Sequence, residues 1–97
     1  MKIIQEAIAG TLESSDLMVK VSPESDGLDI VIHSEVIKQF GARIRAVTTE
    51  ELRKLGVSQG LIVIEDKGAL DCVIRARVQS AILRGANCNE LEWGKLL

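Results

Sequence analysis

Aromatic residues are almost missing from this chain of 97 residues: Phe40, Trp93 and no tyrosine. A core without aromatic rings has to be aliphatic, and the 46% hydrophobic content supplies enough Ile, Leu and Val to build one. The same scarcity argues against a single-stranded nucleic-acid binder, which stacks bases on aromatic side chains. Basic charge is not in excess either. Lys and Arg number 12 against 14 Asp and Glu, a net charge of −2 with both signs interspersed, so the basic stripe of a nucleic-acid footprint is lacking.

Reactive constellations are equally scarce. The one histidine, His33, has no Cys or carboxylate cluster at ligand spacing, and Cys72 and Cys88 lie too far apart for a metal motif. No phosphate loop, dinucleotide fingerprint or nucleophile elbow occurs. Ser14 and Ser15 have no evident base and orienting group to activate them as nucleophiles, so an independent enzyme is not expected. No apolar run approaches the roughly 20 residues of a membrane span. Glu6 breaks the N-terminal segment where a signal peptide would stay apolar. These absences lead to the expectation of a soluble, reduced, cytoplasmic protein. The length suits one domain over residues 1–97, with 87–97 as a variable tail.

The first third reads as strands. Leu17, Val19 and Val21 alternate with Met18, Lys20 and Ser22, and Leu28, Ile30 and Ile32 alternate with Asp29 and His33, the two-residue period of half-buried strands. Between them, Pro23-Glu24-Ser25-Asp26-Gly27 has turn chemistry, so the two runs are expected to pair as a hairpin. Residues 3–12 form a less regular strand candidate in which Gly10 marks a bulge or a close backbone approach.

The period then lengthens. Ser34 is a plausible N-cap followed by Glu35, and apolar residues at 37, 40, 44, 47, 52 and 55 keep one helical face up to a stop at Gly56. A capping box of Thr48 with Glu51 would restart a second helix; the continuous apolar face favours one. Leu61-Ile62-Val63-Ile64 suits a central strand buried on both faces. A last helix spans about 69–84, with Leu70, Val73, Ile74, Val78 and Ala81 toward the core and Gly85 ending it. The order β-β-β-α-β-α implies an α+β sandwich, a small, mostly antiparallel sheet with two helices packed on one face.

Three surface features of the second half carry both bland and functional readings. Cys72, Ala76 and Leu83 form a weaker apolar stripe that could contact a partner, or Cys72 is an inert helical thiol. Arg75, Arg77 and Lys67 form a small basic group suited to phosphate, or a solvated face. Glu13-Ser14-Ser15-Asp16 is a short polar connector between strands, or a serine presented for covalent modification by an enzyme that brings its own base and metal.

Read together, several blocks tip that last balance. Ala9-Gly10-Thr11-Leu12-Glu13-Ser14-Ser15-Asp16 resembles the prosthetic-group site of the citrate lyase acyl carrier (gamma) subunits. Val36-Ile37-Lys38-Gln39-Phe40-Gly41 with Ile44-Arg45, and the block from Glu65-Asp66-Lys67-Gly68-Ala69-Leu70 through Asp71-Cys72-Val73-Ile74-Arg75-Ala76-Arg77, are similar to the same family in order and spacing. The resemblance implies a non-catalytic carrier. At the position of Ser14, the family's serine bears 2′-(5″-phosphoribosyl)-3′-dephospho-coenzyme A through a phosphodiester, and its terminal thiol holds acetyl. It implies four partners: the alpha subunit exchanging acetyl for citrate, the beta subunit cleaving the citryl thioester to oxaloacetate, the holo-acyl-carrier-protein synthase attaching the arm, and the ligase acetylating its thiol. Neither nucleic acid nor membrane is implied. Ser15, directly adjacent, is a second candidate hydroxyl; Ser14 is the one that matches the family position. The related malonate decarboxylase carrier, which uses the same type of group, and an unmodified adaptor working through the 72/76/83 stripe are the alternatives.

Overall fold

Alternation sets the strands. The computed structural model describes residues 1–34 and 41–86. Its elements are β1 (Ala7–Gly10), β2 (Leu17–Ser22), β3 (Leu28–Ser34), α1 (Gly41–Lys54), β4 (Gly60–Asp66) and α2 (Asp71–Gly85). In β2, Leu17, Val19 and Val21 are wholly buried while Lys20 between them is exposed, as a two-residue period requires. The α+β expectation and the element order both hold.

The sheet is mixed, in the order β1-β2-β4-β3. β1 runs antiparallel to β2, and β2 antiparallel to β4, whereas β3 pairs parallel with β4. The expected hairpin of β2 with β3 does not form, because β4 lies between them: Ile62 faces Val21 on one side and Ile30 on the other. Two physical reasons favour this. A connection over residues 23–27 is long enough to cross two inter-strand gaps, about 10 Å. A parallel pair also needs a crossover, which α1 supplies between β3 and β4. The most continuous aliphatic strand thereby takes the central place, as its sequence predicts.

Both helices cover one face of the sheet, α2 over β1 and β2 and α1 against β3, and they pack on each other. Ile44, Val47 and Leu52 of α1 and Ile74, Val78, Ala81 and Ile82 of α2 close over Ala9, Leu17, Val19, Val21, Ile62 and Ile64. The other face stays open. Ile8 and Val31 are exposed there, and Leu61 and Val63 are half-buried, so the 61–64 run is sealed on one side only and not on both.

Several local expectations shift. Ser34 is the last residue of β3, and its hydroxyl donates to Asp66 Oδ2 at 3.1 Å; the helix it was expected to cap would begin outside the described residues. The start of the expected first helix, 35–40, and the tail, 87–97, lie outside the described residues. Within them α1 passes through Thr48 and Thr49 unbroken, so no second helix restarts there. It stops at Gly56, whose φ of 69° is the left-handed conformation that ends helices. Residues 3–5 do not belong to β1; the amides of Ile4 and Gln5 donate to the Gly85 carbonyl, the last residue of α2. Leu70 is 69% exposed rather than in the core. It precedes the first helical residue in an extended conformation (φ −74°, ψ 159°), so the helical wheel that assigned it inward does not apply. No helix among the described residues is long and apolar enough to cross a membrane.

The layering predicts a sharp contrast between two isoleucines. Ile64→Ala, at a fully buried position, should cost about 2–5 kcal/mol in urea unfolding. Ile8→Ala, on the open face at 49% exposure, should stay within about 0.5 kcal/mol.

Candidate functional site

The connector from β1 to β2 is a tightly held loop. It begins at Gly10, whose φ is 94° and where a Cβ would overlap the Leu17 carbonyl oxygen. Only glycine allows that approach, which accounts for the residue marked in the sequence as a bulge or close contact. The Thr11 amide then donates to the same Leu17 carbonyl at 3.2 Å. Farther on, the Asp16 amide donates to the Glu13 carbonyl at 3.2 Å, closing a four-residue turn with Ser14 and Ser15 at its centre. Ser15 adopts φ 64°, and it is the one non-glycine residue with positive φ among the described residues. Type II turns place glycine or asparagine at that third position.

Asp16 ties this turn down. Its Oδ2 accepts from the Thr11 hydroxyl at 2.6 Å and from an Arg77 terminal nitrogen at 3.2 Å, and its Oδ1 accepts from the Leu17 amide at 2.7 Å and Arg77 Nε at 3.1 Å. The Thr11 hydroxyl is in turn an acceptor for the Glu13 amide at 3.2 Å. The bonds from Thr11, from the Arg77 guanidinium and from the Leu17 amide all favour the ionised form, and they hold the Asp16 carboxyl down at about 2. The backbone is clamped as well. Ser15 N donates to the Lys67 carbonyl and Lys67 N to the Asp16 carbonyl, each at 2.9 Å, continuing the β2–β4 ladder one step past Leu17 and Asp66. Below that step the buried Asp66 carboxylate accepts from the amides of Gly68 at 3.1 Å and Ala69 at 3.0 Å, fixing the turn that leads into α2.

Both serine side chains are exposed and neither hydroxyl has a hydrogen-bond partner among the described residues; Ser15 differs in its backbone, with φ 64° and its amide bonded to the Lys67 carbonyl. An exposed hydroxyl on a turn fixed at both ends fits a covalently attached arm: another enzyme can approach it, and the root does not add flexibility of its own.

Other candidates separate. The basic group of Arg75, Arg77 and Lys67 is divided: Arg77 turns to Asp16, while Arg75 lies 3.5 Å from the buried Glu51 carboxylate and 3.7 Å from Glu50 on α1. Gln79 also donates to Glu51, at 2.9 Å, so Arg75 belongs to the seam between the helices. Cys72 and Ala76 are exposed and Leu83 is half-buried. His33 is exposed on the open face of the sheet, and no group of metal-ligating side chains is found among the described residues. Sequence reading missed the Arg77–Asp16 pair because 61 residues separate its members. The available signal was an aspartate next to the serines and an arginine one helix away, and nothing local joins them.

The acyl carrier family model described as the malonate decarboxylase delta subunit (MdcD) matches residues 4–85. A solved structure, a Pseudomonas malonate decarboxylase hetero-tetramer in complex with malonate, contains a chain with the same fold. The TM-score is 0.70 at 24% identity, covering 82% of each chain. Those matches define a carrier-subunit fold. At higher identity stand proteins named citrate lyase acyl carrier protein. The Enterobacter sp. (strain 638) relative is 65% identical over 96 residues, covering 99% of both chains. The Albidiferax ferrireducens relative is 63% identical over 97 residues, again covering 99% of both. A third, from Pectobacterium atrosepticum, is 59% identical over 96 residues, covering 99% of this chain and 100% of its own. The chain belongs to the citrate lyase acyl carrier protein family.

Two predictions come from the loop. Ser15→Gly should stabilise the protein by about 1 kcal/mol by relieving the left-handed conformation, whereas Gly10→Ala should destabilise it by more than about 2 kcal/mol; urea unfolding reads both. The second concerns pH. An unfolded chain protonates Asp16 near the ordinary 3.8, and the folded one near 2. The contribution of Asp16 to stability is therefore complete above pH 3.8 and is lost as pH falls through 2. Amide signals of Glu13 and Leu17 should titrate with a midpoint near 2, and in Arg77→Met the midpoint should move upward.

Proposed function

We propose that this chain is the acyl carrier subunit of citrate lyase and that Ser14 bears its prosthetic arm, 2′-(5″-phosphoribosyl)-3′-dephospho-coenzyme A. The observation that supports this most directly is the exposed, unpartnered Ser14 hydroxyl at the apex of a clamped turn, in a chain 65% identical to a named citrate lyase carrier. The bound group supplies a thiol on which acetyl and citryl groups ride as thioesters. The protein contributes a single oxygen atom and a rigid root. Modification requires that the Ser14 hydroxyl lose its proton to a base and that its oxygen bond to the phosphorus of an activated phosphoryl donor. The bond from that phosphorus to the donor's leaving group breaks, and that group departs with the electron pair. The base and metal for that step come from the dedicated transferase.

The physical role of the carrier is concentration. A thiol on a tether visits two active sites at an effective concentration set by the length of the arm, so the alpha subunit as acyltransferase and the beta subunit as citryl lyase are its partners. The transferase that attaches the arm and the ligase that acetylates it complete the set, in the cytoplasm. A rigid turn serves this arrangement because motion at the root would enlarge the searched volume without bringing the thiol nearer to either site. The single domain is proposed to extend over 1–97.

The malonate decarboxylase carrier is the second reading, favoured by the family model matched over residues 4–85. The acyl group recovered on the thiol decides between them: acetyl or citryl supports citrate lyase, malonyl the other. Intact-mass analysis of protein purified from its native host should show one arm per chain. Ser14→Ala should abolish the adduct and Ser15→Ala should keep it. An adduct that survives Ser14→Ala refutes the assignment, and full lyase activity of Ser14→Ala would favour an unmodified adaptor.

A further inference from the structure

Two leucines near the Ser14 turn are exposed at a cost that the fold does not recover. Leu70 is 69% exposed. It occupies the N-cap of α2, where its carbonyl accepts from the amides of Val73 and Ile74, each at 3.0 Å, and its side chain makes no cap bond. Serine, threonine, aspartate and asparagine stabilise an N-cap, and leucine is among the poorest residues there. Leu12 is 49% exposed, and its neighbours keep it so. The Thr11 amide is bonded to the Leu17 carbonyl and the Glu13 amide to the Thr11 hydroxyl. Neither leucine joins the aliphatic core. Positions at which a residue breaks the local rule without a gain in packing are where function is to be sought.

Both leucines are tied to the turn by bonded backbone. Leu12 lies in the same loop as Ser14, at most about 7 Å away along the chain. Leu70 follows closely on Lys67, which is joined to Ser15 and Asp16 by backbone bonds of 2.9 Å. Between Lys67 and Leu70, the Asp66 carboxylate holds the amides of Gly68 and Ala69. One inter-strand step and the short chain from Lys67 put Leu70 within about 20 Å of Ser14. A standard protein footprint of about 800 Å² is about 30 Å across. One docked protein therefore reaches both leucines and the serine.

We infer that Leu12 and Leu70 are docking contacts for the enzyme that attaches the arm at Ser14. The inference rests on the reading of Ser14 as the attachment residue. Chemistry at the Ser14 oxygen brings the catalytic groups of that enzyme to the turn itself, so its surface meets the side chains around the turn. The lyase subunits act on the thiol at the far end of the arm and have no such need. The partner surface that complements this patch offers two apolar recesses, since removal of apolar area from water drives most protein association. It also places a cation opposite the exposed Glu13 carboxylate. Leu12 and Leu70 thus select the modifying enzyme, and Ser14 alone takes the group.

Steady-state loading of the full-length chain by the purified transferase tests this, with the activated phosphoryl donor of the arm at saturation and the adduct read by intact mass. Leu12→Ser and Leu70→Ser should each raise KM for the carrier about tenfold while kcat is kept, the effect expected of a leucine no longer buried in the partner. Leu70→Ser should also raise the urea midpoint, because serine is the better N-cap. A poorer substrate that is a more stable protein excludes loss of fold as the cause. Ile4→Ser, at a position 56% exposed before the other end of β1, should load like the wild type. An unchanged KM in either leucine variant would overturn the inference, as would a fall in kcat alone or an equal rise in KM for Ile4→Ser. A wild-type chain that gains no adduct at Ser14 overturns the attachment reading and this inference with it. An adduct at Ser14 that forms with unaltered KM in the leucine variants overturns this inference alone.

Discussion

The Asp16 carboxylate gathers the end of β1, the start of β2 and the middle of α2 at one point, and the shape of the turn that holds Ser14 and Ser15 depends on it. Thr11, Leu17 and Arg77 all donate to it. The pairing is a fork of two nitrogens on two oxygens, the arrangement in which arginine is hard to replace by lysine. Asp16 is 14% exposed in its side chain and Arg77 40%, so the pair is neither fully hydrated nor fully desolvated. A loop between two antiparallel strands could adopt many shapes. Here the carboxylate and the Lys67 backbone together leave one, with Ser14 and Ser15 at the centre of its turn.

That turn sits where it does because β4 is central. The strand with the longest aliphatic run pairs on both sides, and its last residues extend past the sheet far enough to hold Ser15 and Asp16 through Lys67. The same few residues lead through the Asp66-capped turn into α2, which carries Arg77 back over Gly10. Sheet, turn and helix therefore constrain the loop from three directions, and each contact uses chain that the fold orders anyway. Little additional entropy is lost in fixing the loop.

The aliphatic core and the serine turn occupy different parts of the domain. The helix-covered face holds the aliphatic core that the lack of aromatics required. The end at which β2 begins and β4 finishes carries the turn of Ser14 and Ser15, held by Lys67 and Asp16. Polar groups unrelated to the turn are absorbed by structure: Arg75, Gln79 and Glu51 join the helices, and Ser34 joins β3 to the Asp66 carboxylate. The basic triplet seen in the sequence was thus never a triplet, since Arg75 and Arg77 point to different partners.

Local chemistry by itself determined the α+β class, the element order, the aliphatic core, the central position of 61–64 and the polar connector with its two serines. Each of these is a matter of period, composition or turn residues within a few positions. The sequence also marked Gly10, though not what approaches it. Pairing was beyond its reach, because alternation in 17–21 and 28–32 is the same whether the strands touch or flank a third; β4 came between them for reasons of crossover and burial. Leu70 was misplaced because a helical wheel cannot show where the helix begins. The backbone difference between Ser14 and Ser15 also belonged to tertiary structure. It depends on a backbone bond to Lys67 and on a carboxylate held by an arginine 61 residues away, and contacts at that separation exist only once the chain has folded.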